Sequence, residues 1–489
     1  MKPIGTITMY FLFLDEESRG ILQNIMDEAC NYYDFVQRLN ERVLSENSPE
    51  LVVYFAIHHS ALLLDIDSID SISKKYGTVP ILRPNLFYAS VHQGNYDAVE
   101  QVHAAADAVL DTNPPDWLAI EMRFLKYEAD LLQYPTTLYD TSNLDELERL
   151  IAKSPEFEFF ENILYDCYRE KASRDGDAEE IERSTELAIA SAVKHDDIVR
   201  LAYHLRVKSV YLKSRDVKEA RNALLEARDI METLGNDAGL ASTLIYLARL
   251  DAARGEYNLA IERVSDAIRI RERMELPVGA YALLLSDLYN VIKNPASGLE
   301  WGRFAEEDFE SNPTVRQRAI LNQAWSLSLL RLLDRASELL DSIREPILKS
   351  GYEGNLGWLY FVTGVYEMVE GNLNNAAKNM EDAIELYEGK HSVEYALIIM
   401  ENLAQLDALR AEADFEEREI PWIALLEEKA ISDDLPGILG QALLLKAKLA
   451  YVRGDEGALR ELREKIRTIG ENPSMAFLNE GLEHLLRRG

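Results

Sequence analysis

Hydrophobic residues recur at helical spacing along most of the chain, and residues 241–270 show the pattern most clearly. In this stretch apolar side chains fall three and four positions apart in two successive runs, which predicts two amphipathic helices. Gly255 separates the runs, and its permissive backbone allows the first helix to end and the second to turn back. Ala248 and Ala260 are small, so the two helix backbones can approach closely where they cross. The stretch therefore predicts a helical hairpin.

The same hairpin turn can be followed along the chain at a period of about 40 residues. Successive turns between positions 176 and 371 are 38 to 40 residues apart, and the flanking intervals are about twice as long. The turn residues are Gly94, Gly176, Arg215, Gly255, Lys293, Arg331, Gly371 and Gly454. Small residues repeat five positions after the turn, at Ala220, Ala260, Gly298, Ala336 and Ala376. Small residues in register with a regular turn predict a tandem array of closely packed helix pairs.

This helix–turn–helix pattern with small residues at the crossings resembles the tetratricopeptide repeat. The period of about 40 is similar to the long-repeat members of that superfamily, such as the sensor region of maltose-type transcription activators and the kinesin light chains. The resemblance covers roughly residues 80–470 and implies an all-α fold, a right-handed α-solenoid of about ten or more antiparallel helix hairpins. The sequence contains neither the phosphate-binding ATPase module nor the DNA-binding helix-turn-helix of those activators.

Three regions are expected along the chain. Residues 1–80 are the least repeat-like and are interpreted as a helical cap of degenerate hairpins, because terminal units of solenoids lack a neighbour on one side. Residues 81–472 form the predicted solenoid, and residues 473–489 supply an amphipathic helix that caps the last pair. The helices expected within the N-terminal cap are 16–30, 32–45 and 49–64.

Composition limits the kinds of partner. The chain has 489 residues, 47% of them hydrophobic, which suffices for a continuous core. Lys and Arg number 52 against 85 Asp and Glu, a formal net charge of −33. Such a surface repels nucleic-acid phosphates and is compatible with a basic protein partner. Two distant cysteines, Cys30 and Cys167, and the short apolar run Ile7–Leu14 favour a cytoplasmic protein that does not enter the membrane.

No recognisable constellation of catalytic or metal-binding residues stands out. The sequence lacks a P-loop and a Gly-x-Ser-x-Gly elbow. His58 and His59 are adjacent and so point to different parts of a helix surface, and His204 is interpreted as a packed or half-exposed residue rather than a base. Asp251 and Glu367 share a repeat position, but they lie too far apart in a solenoid to work as a pair, so we expect both to be solvated. The sequence predicts no catalytic residues, no metal and no cofactor.

The remaining candidate site is a groove lined by the first helix of each hairpin. Two columns of this helix vary in residue type from unit to unit, as expected of a surface that meets different chemistry at each unit. Polar residues there could hold the backbone or carboxylate of an extended ligand, and tryptophans could anchor an apolar side chain. The predicted partner-binding residues are Tyr246, Arg249, Asp287, Asn322, Trp325 and Trp358. The alternative is that the tryptophans pack between repeat units.

The sequence therefore predicts a non-enzymatic scaffold that binds a protein or peptide segment on its concave face. A second hypothesis is a regulatory protein that senses a ligand or peptide and changes its superhelical shape. A third is an enzyme with an unrecognised site in residues 1–80, which a titratable pocket near His58, His59 or Cys30 would favour. Self-association through Ile7–Leu14 is a further hypothesis.

Overall fold

The chain was analysed in a computed structural model. The residues it describes are 13–63, 65–77, 79–92, 98–132, 142–175, 177–212, 216–309, 312–387, 393–414, 421–472 and 475–487. Every regular element among them is an α-helix or a short 3-10 helix, so the expected all-α class is confirmed.

The helices of the N-terminal half are α1 (Glu16–Glu28), α2 (Tyr32–Ser45), α3 (Glu50–Leu63), α4 (Ile66–Tyr76), α5 (Arg83–His92), α6 (Ala98–Leu110), α7 (Asp116–Leu132), α8 (Ser142–Ile151), α9 (Glu161–Asp175), α10 (Ala178–Lys194), α11 (Ile198–Leu212) and α12 (Val217–Leu234). Those that follow are α13 (Asp237–Ala253), α14 (Tyr257–Arg273), α15 (Gly279–Val291), α16 (Pro295–Asp308), α17 (Pro313–Leu329), α18 (Leu333–Ser350), α19 (Glu353–Glu370), α20 (Leu373–Tyr387), α21 (Val393–Asp414), α22 (Pro421–Ser432), α23 (Pro436–Arg453), α24 (Glu456–Ile469) and α25 (Ala476–Arg487). Short 3-10 helices span Pro80–Leu82 and Pro155–Phe160.

The chain divides into two compact units. Unit 1 contains Met1–Ser209 and Asn222–Thr243, and unit 2 contains Val210–Arg221 and Leu244–Gly489. These units do not coincide with the three regions expected from the sequence, 1–80, 81–472 and 473–489. The division into a cap, a solenoid and a capping helix stays a prediction.

Unit 1 has an aromatic-rich core. Its largest fully buried side chains include Tyr32, Phe35, Phe124 and Phe160. The first helices start at polar caps: the side chain of Asp15 accepts from the backbone N–H of Ser18 at 2.7 Å. Such a cap satisfies one of the backbone donors left open at a helix start, which is why α1 begins there.

In unit 2 the expected hairpin turns are present. Five turn residues adopt the left-handed backbone conformation, with φ between 60° and 100°, within two residues of the end of the first helix of a hairpin: Gly255, Lys293, Arg331, Gly371 and Gly454. A left-handed residue at this place ends a helix and reverses the chain, and glycine adopts it without steric penalty. Lys293 and Arg331 show that the turn geometry persists where the repeat lacks glycine. The turns expected at Gly94, Gly176 and Arg215, and most of Ile7–Leu14, lie outside the described residues.

The two helices of each hairpin in unit 2 are buried differently. The second helices bury one stripe; in α18 it consists of Ala336, Leu340, Ile343 and Ile347. The first helices are buried on nearly all sides, as in α17, where residues 321–328 are buried without interruption. We call α15, α17, α19 and α21 the inner helices. Their all-round burial means that the polar side chains they carry must find partners inside the unit.

None of the helices within the described residues is both long enough and apolar enough to cross a membrane.

Candidate binding site on the inner helices of unit 2

A charged and polar group lies buried between α15 and α17. Asp287 on α15 faces Arg318 on α17, with 3.4 Å between the Arg318 Nη2 and Asp287 Oδ2 atoms. Asn322, one turn after Arg318, donates from Nδ2 to Asp287 Oδ1 at 2.7 Å. Asp287 is 2% exposed and Asn322 is fully buried. The Asn322 amide therefore makes the shorter hydrogen bond to this carboxylate, and Arg318 acts on it mainly through its charge.

Aromatic rings surround this group from α17, α19 and α21. The Arg318 guanidinium lies 3.5 Å from the ring centroid of Trp358 and 4.6 Å from that of Tyr395, within cation–π range. Trp358 donates from Nε1 to Asn322 Oδ1 at 2.8 Å, so Asn322 links the ion pair to the aromatic rings. Trp325 and Phe361 pack edge-on at a centroid distance of 5.0 Å. We call Asp287, Arg318, Asn322, Trp325, Trp358 and Tyr395 the inner cluster.

Two donors in the inner cluster lack an acceptor. The Nε atom of Arg318 and the Nε1 atom of Trp325 are buried and make no hydrogen bond in the structure, although the Arg318 guanidinium also interacts with the Tyr387 hydroxyl. Burial raises the pKa of the Asp287 carboxyl, and the nearby Arg318 charge and Asn322 amide lower it in part. An unpaired buried donor costs about 1–3 kcal/mol, so a ligand that supplied an acceptor to either atom would recover energy of that order.

The structure brings four of the six predicted site residues together. Asp287, Asn322, Trp325 and Trp358 belong to the inner cluster, each 2% exposed or less. Tyr246, on α13, is 39% exposed. Arg249, also on α13, is half-buried, and its charge lies near enough to Asp287 to lower the pKa of that carboxyl. Trp325 and Trp358 are packed between repeat units in this structure, which is the alternative that the sequence left open. That the six residues contact a partner stays a prediction.

Sequence reasoning missed Arg318 and Tyr395. A signal for Arg318 existed, because it precedes Asn322 by four positions and Trp325 by seven, which places all three on one face of a helix. The position of Tyr395 beside Arg318 has no such local signal, since the two lie on different helices.

Asp251 was expected to be solvated, and the structure corrects this: its side chain is fully buried at the end of α13. Arg263 lies 3.1 Å from its Oδ2 atom and Arg221 lies 3.4 Å from its Oδ1 atom. Glu256 extends the network to Arg254 at 3.2 Å. Burial raises the pKa of Asp251 to about 7 despite the arginines. Charged partners on neighbouring segments, invisible in a local pattern, explain why an acid can be buried here.

Unit 1 holds the histidines that a catalytic hypothesis would need. His58 is 9% exposed, and His59 is fully buried with its Nδ1 atom 2.8 Å from the Tyr32 hydroxyl. Burial lowers the pKa of both imidazoles. His204 is also fully buried, which confirms its interpretation as a packed residue. Cys30 is exposed and its sulfur is not in a disulfide.

A cleft of about 980 Å³ lies elsewhere in unit 1, between α8, α9 and α10. Its lining includes Glu148, Tyr165, Tyr168, Lys171 and Arg183, so acidic, basic and aromatic groups are mixed. Across the described part of the chain, no group of three or more His, Cys, Asp or Glu side chains could hold a metal ion.

Comparisons with known proteins give likenesses of fold alone. No family model matches the sequence, and none of the curated proteins matches it. A Rap protein complexed with competence and sporulation factor is similar at 12% identity and a TM-score of 0.45, covering 68% of this chain and 98% of that one. The apo form of RapI is similar at 12% identity and a TM-score of 0.44, covering 80% and 98%. A signal-transduction ATPase with a tetratricopeptide repeat sensor, from Pyrococcus horikoshii, gives 14% identity and a TM-score of 0.42, covering 77% of this chain and 54% of that one.

These likenesses are weak. The repeat is visible in unit 2 itself, in the left-handed turns and in the small residues buried five positions after four of them, Ala260, Gly298, Ala336 and Ala376. Unit 2 is a tandem array of helical hairpins, the architecture that the resemblance to tetratricopeptide repeats implied. The inner cluster lies on the first helices of these hairpins, where the binding groove was predicted.

Proposed function

We propose that this tetratricopeptide-like protein binds an extended peptide segment of another protein at the inner cluster of unit 2, without catalysing a reaction. The observation that carries the proposal is the pair of buried donors, Arg318 Nε and Trp325 Nε1, that have no acceptor within the protein. They lie two helical turns apart on one face of α17, a spacing along which an extended peptide presents several carbonyl oxygens.

The energetics support a binding role over a purely structural one. A buried ion pair contributes little net stability, and apolar side chains of similar volume commonly serve as well or better. Retaining Asp287 and Arg318 at a long contact distance is therefore more easily explained by a ligand than by folding. Aromatic residues and arginine are also the types that dominate binding hot spots.

The charge of the chain bears on the partner. A net charge of −33 attracts basic segments and accelerates their encounter at low salt. Main-chain carbonyls accept hydrogen bonds whatever the side chains are, so a basic peptide can satisfy the buried donors and also pair with the acidic surface.

A library of synthetic decapeptides, sorted by net charge, tests the proposal by fluorescence anisotropy. The decisive variant is Trp325→Phe, which removes the Nε1 donor and keeps an aromatic ring, and its control is Trp301→Phe, at a half-buried tryptophan outside the cluster. We expect the Trp325 variant alone to weaken binding of captured peptides by about tenfold, as the loss of one hydrogen bond predicts. Equal binding by wild type and both variants would place the site elsewhere.

A second candidate function is that of a sensor whose unit 2 opens and closes. One observation favours it: the N–H of Gly437, at the start of α23, donates to the carbonyl of Arg254 in the first hairpin of unit 2.

A further inference from the structure

Two segments of unit 2 that are about 180 residues apart in the sequence meet backbone to backbone. The N–H of Gly437, at the start of α23, donates to the carbonyl of Arg254 at 3.1 Å. Arg254 and Gly255 form the turn between α13 and α14. In a tandem array each hairpin packs on its neighbours, so a bond from the first hairpin of the unit to α23 brings distant repeats together.

The two glycines make this contact possible. A Cβ atom on Gly437 would lie 2.6 Å from the carbonyl oxygen of Gly255 and 2.7 Å from that of Arg254. A Cβ atom on Gly255 would lie 2.7 Å from the carbonyl carbon of Gly437. These are backbone atoms, which cannot rotate away, so any larger residue at position 437 must separate the two segments.

A side-chain bond lies beside the backbone bond. The Tyr257 hydroxyl, in the first turn of α14, donates to Glu401 Oε1 on α21 at 2.6 Å. Tyr257 is 2% exposed and Glu401 is 3% exposed. The turn itself is held by the Asp251 network, in which Arg254 pairs with Glu256. The turn between α13 and α14 is thus held by ion pairs, and it contacts α23 through a backbone hydrogen bond and α21 through a side-chain hydrogen bond.

We propose that the Gly255–Gly437 contact and the Tyr257–Glu401 bond form a clasp that holds unit 2 closed and controls access of a peptide to the inner cluster. The control of access depends on the proposed function, whereas the opening of the clasp does not. The clasp unites the two ends of one hydrophobic core, which contains Ala253 and Tyr257 from its first hairpin and Ile438 and Ala442 from α23. Releasing it loosens α15 and α21, the inner helices that pack against α14 and α23 and that carry Asp287 and Tyr395 of the inner cluster.

Gly437→Ala is the direct test, because alanine is a good helix former and the only expected harm is the clash across the clasp. Gly457→Ala is a matched control: Gly457 is the second residue of α24 as Gly437 is of α23, and its Cβ would meet Asp455 Oδ1 at an ordinary 3.5 Å. Tyr257→Phe is a second variant that removes the hydroxyl without a clash. Its control is Tyr76→Phe, which removes the hydroxyl that donates to the carbonyl of Glu46 at 3.0 Å in unit 1.

Amide hydrogen exchange of the full-length chain, resolved by peptide, measures the opening. We expect Gly437→Ala and Tyr257→Phe to speed exchange in α15 and α21 about tenfold, since the loss of one buried hydrogen bond shifts an opening equilibrium by that much. Exchange in α1 to α3 stays unchanged, and both controls behave as wild type. If Gly437→Ala fails to fold, Tyr257→Phe decides the matter.

Unchanged exchange in the inner helices, or an equal rise throughout the chain, would overturn the clasp. The same variants are then tested with the decapeptide library, where release of the clasp is expected to increase peptide association at least about tenfold. Faster exchange with no peptide bound by any variant would leave the clasp standing and refute the proposed function, so the two failures are distinguishable.

Discussion

Replacing Glu401 by Gln changes one buried charge in unit 2 and leaves the shape of the side chain intact. Glu401 lies on α21, and the groups that interact with its carboxylate are the Tyr257 hydroxyl, the Gln441 side chain and the Lys293 ammonium. Burial is the largest influence and raises its pKa from 4.5 to about 7, although these three groups favour the charged form. Glutamine keeps an oxygen that accepts from Tyr257 and never ionises.

The size of the effect follows from linkage. A carboxyl with a folded-state pKa of about 7 and an unfolded value of 4.5 is protonated more in the folded state. Its stabilising influence is therefore complete below pH 4.5 and is lost as the pH rises through 7. The difference between the two pKa values corresponds to about 3 kcal/mol. We expect Glu401→Gln and wild type to be equally stable near pH 4.5, and the variant to be more stable by up to about 3 kcal/mol at pH 8.

Urea unfolding at several pH values, followed by tryptophan fluorescence, measures the difference. Four of the five tryptophans belong to unit 2, so fluorescence reports chiefly on the unit that carries Glu401. The control is Glu385→Gln, which makes the same charge change at an exposed position on α20. If the stability difference between Glu401→Gln and wild type did not change with pH, or if Glu385→Gln reproduced it, burial of the Glu401 charge would be refuted.

Three further changes test the turns and the inner cluster. Arg331→Gly, at a left-handed turn with φ 60°, should stabilise unit 2 by roughly 1 kcal/mol, whereas Arg335→Gly within α18 should destabilise it by a similar amount; equal signs in urea unfolding would contradict the turn geometry. Trp325→Ala should lower the free energy of unfolding by about 3–5 kcal/mol, because the side chain is fully buried; a loss under 1 kcal/mol would mean that it is not core. Arg318→Met should cost up to about 3–5 kcal/mol, because it removes one of the two arginines whose charges act on the buried Asp287, and Arg318→Met/Asp287→Leu should recover most of the loss; a double variant no more stable than Arg318→Met would refute the pairing.

The local pattern of the chain determined the helical hairpins and their period. Gly255, Gly371 and Gly454 were recognisable as turns because glycine is the residue that a left-handed helix end favours, and all three have positive φ. Ala260, Ala336 and Ala376 are fully buried, as expected of small residues at close helix crossings. Both features depend on a residue and its near neighbours, so the sequence carries them directly.

The site could be predicted only in part. Two variable columns of the first helices led to Asn322 and Trp325, and a further position of the same helices led to Trp358; the three do lie together. For the tryptophans, burial between repeat units was the alternative that the sequence left open. The choice between exposure and burial depends on helices packed against α17 and α19, which the local pattern does not specify. Arg318 was overlooked because an arginine in a helix is ordinarily solvated. Its buried position is explained by Asp287 on the preceding inner helix and by the rings of Trp358 and Tyr395.

Contacts between distant repeats were decided by tertiary structure alone. Asp251 is buried because Arg221 and Arg263 reach it from other helices. The bond from Gly437 to Arg254 joins segments that no helical period relates. Periodicity specifies which face of a helix is apolar and where the helix ends, but small rotations accumulated over several hairpins decide which distant surfaces meet. The sequence by itself therefore determined the repeat, and the packing of unit 2 decided which of its polar residues are buried and how the unit is closed.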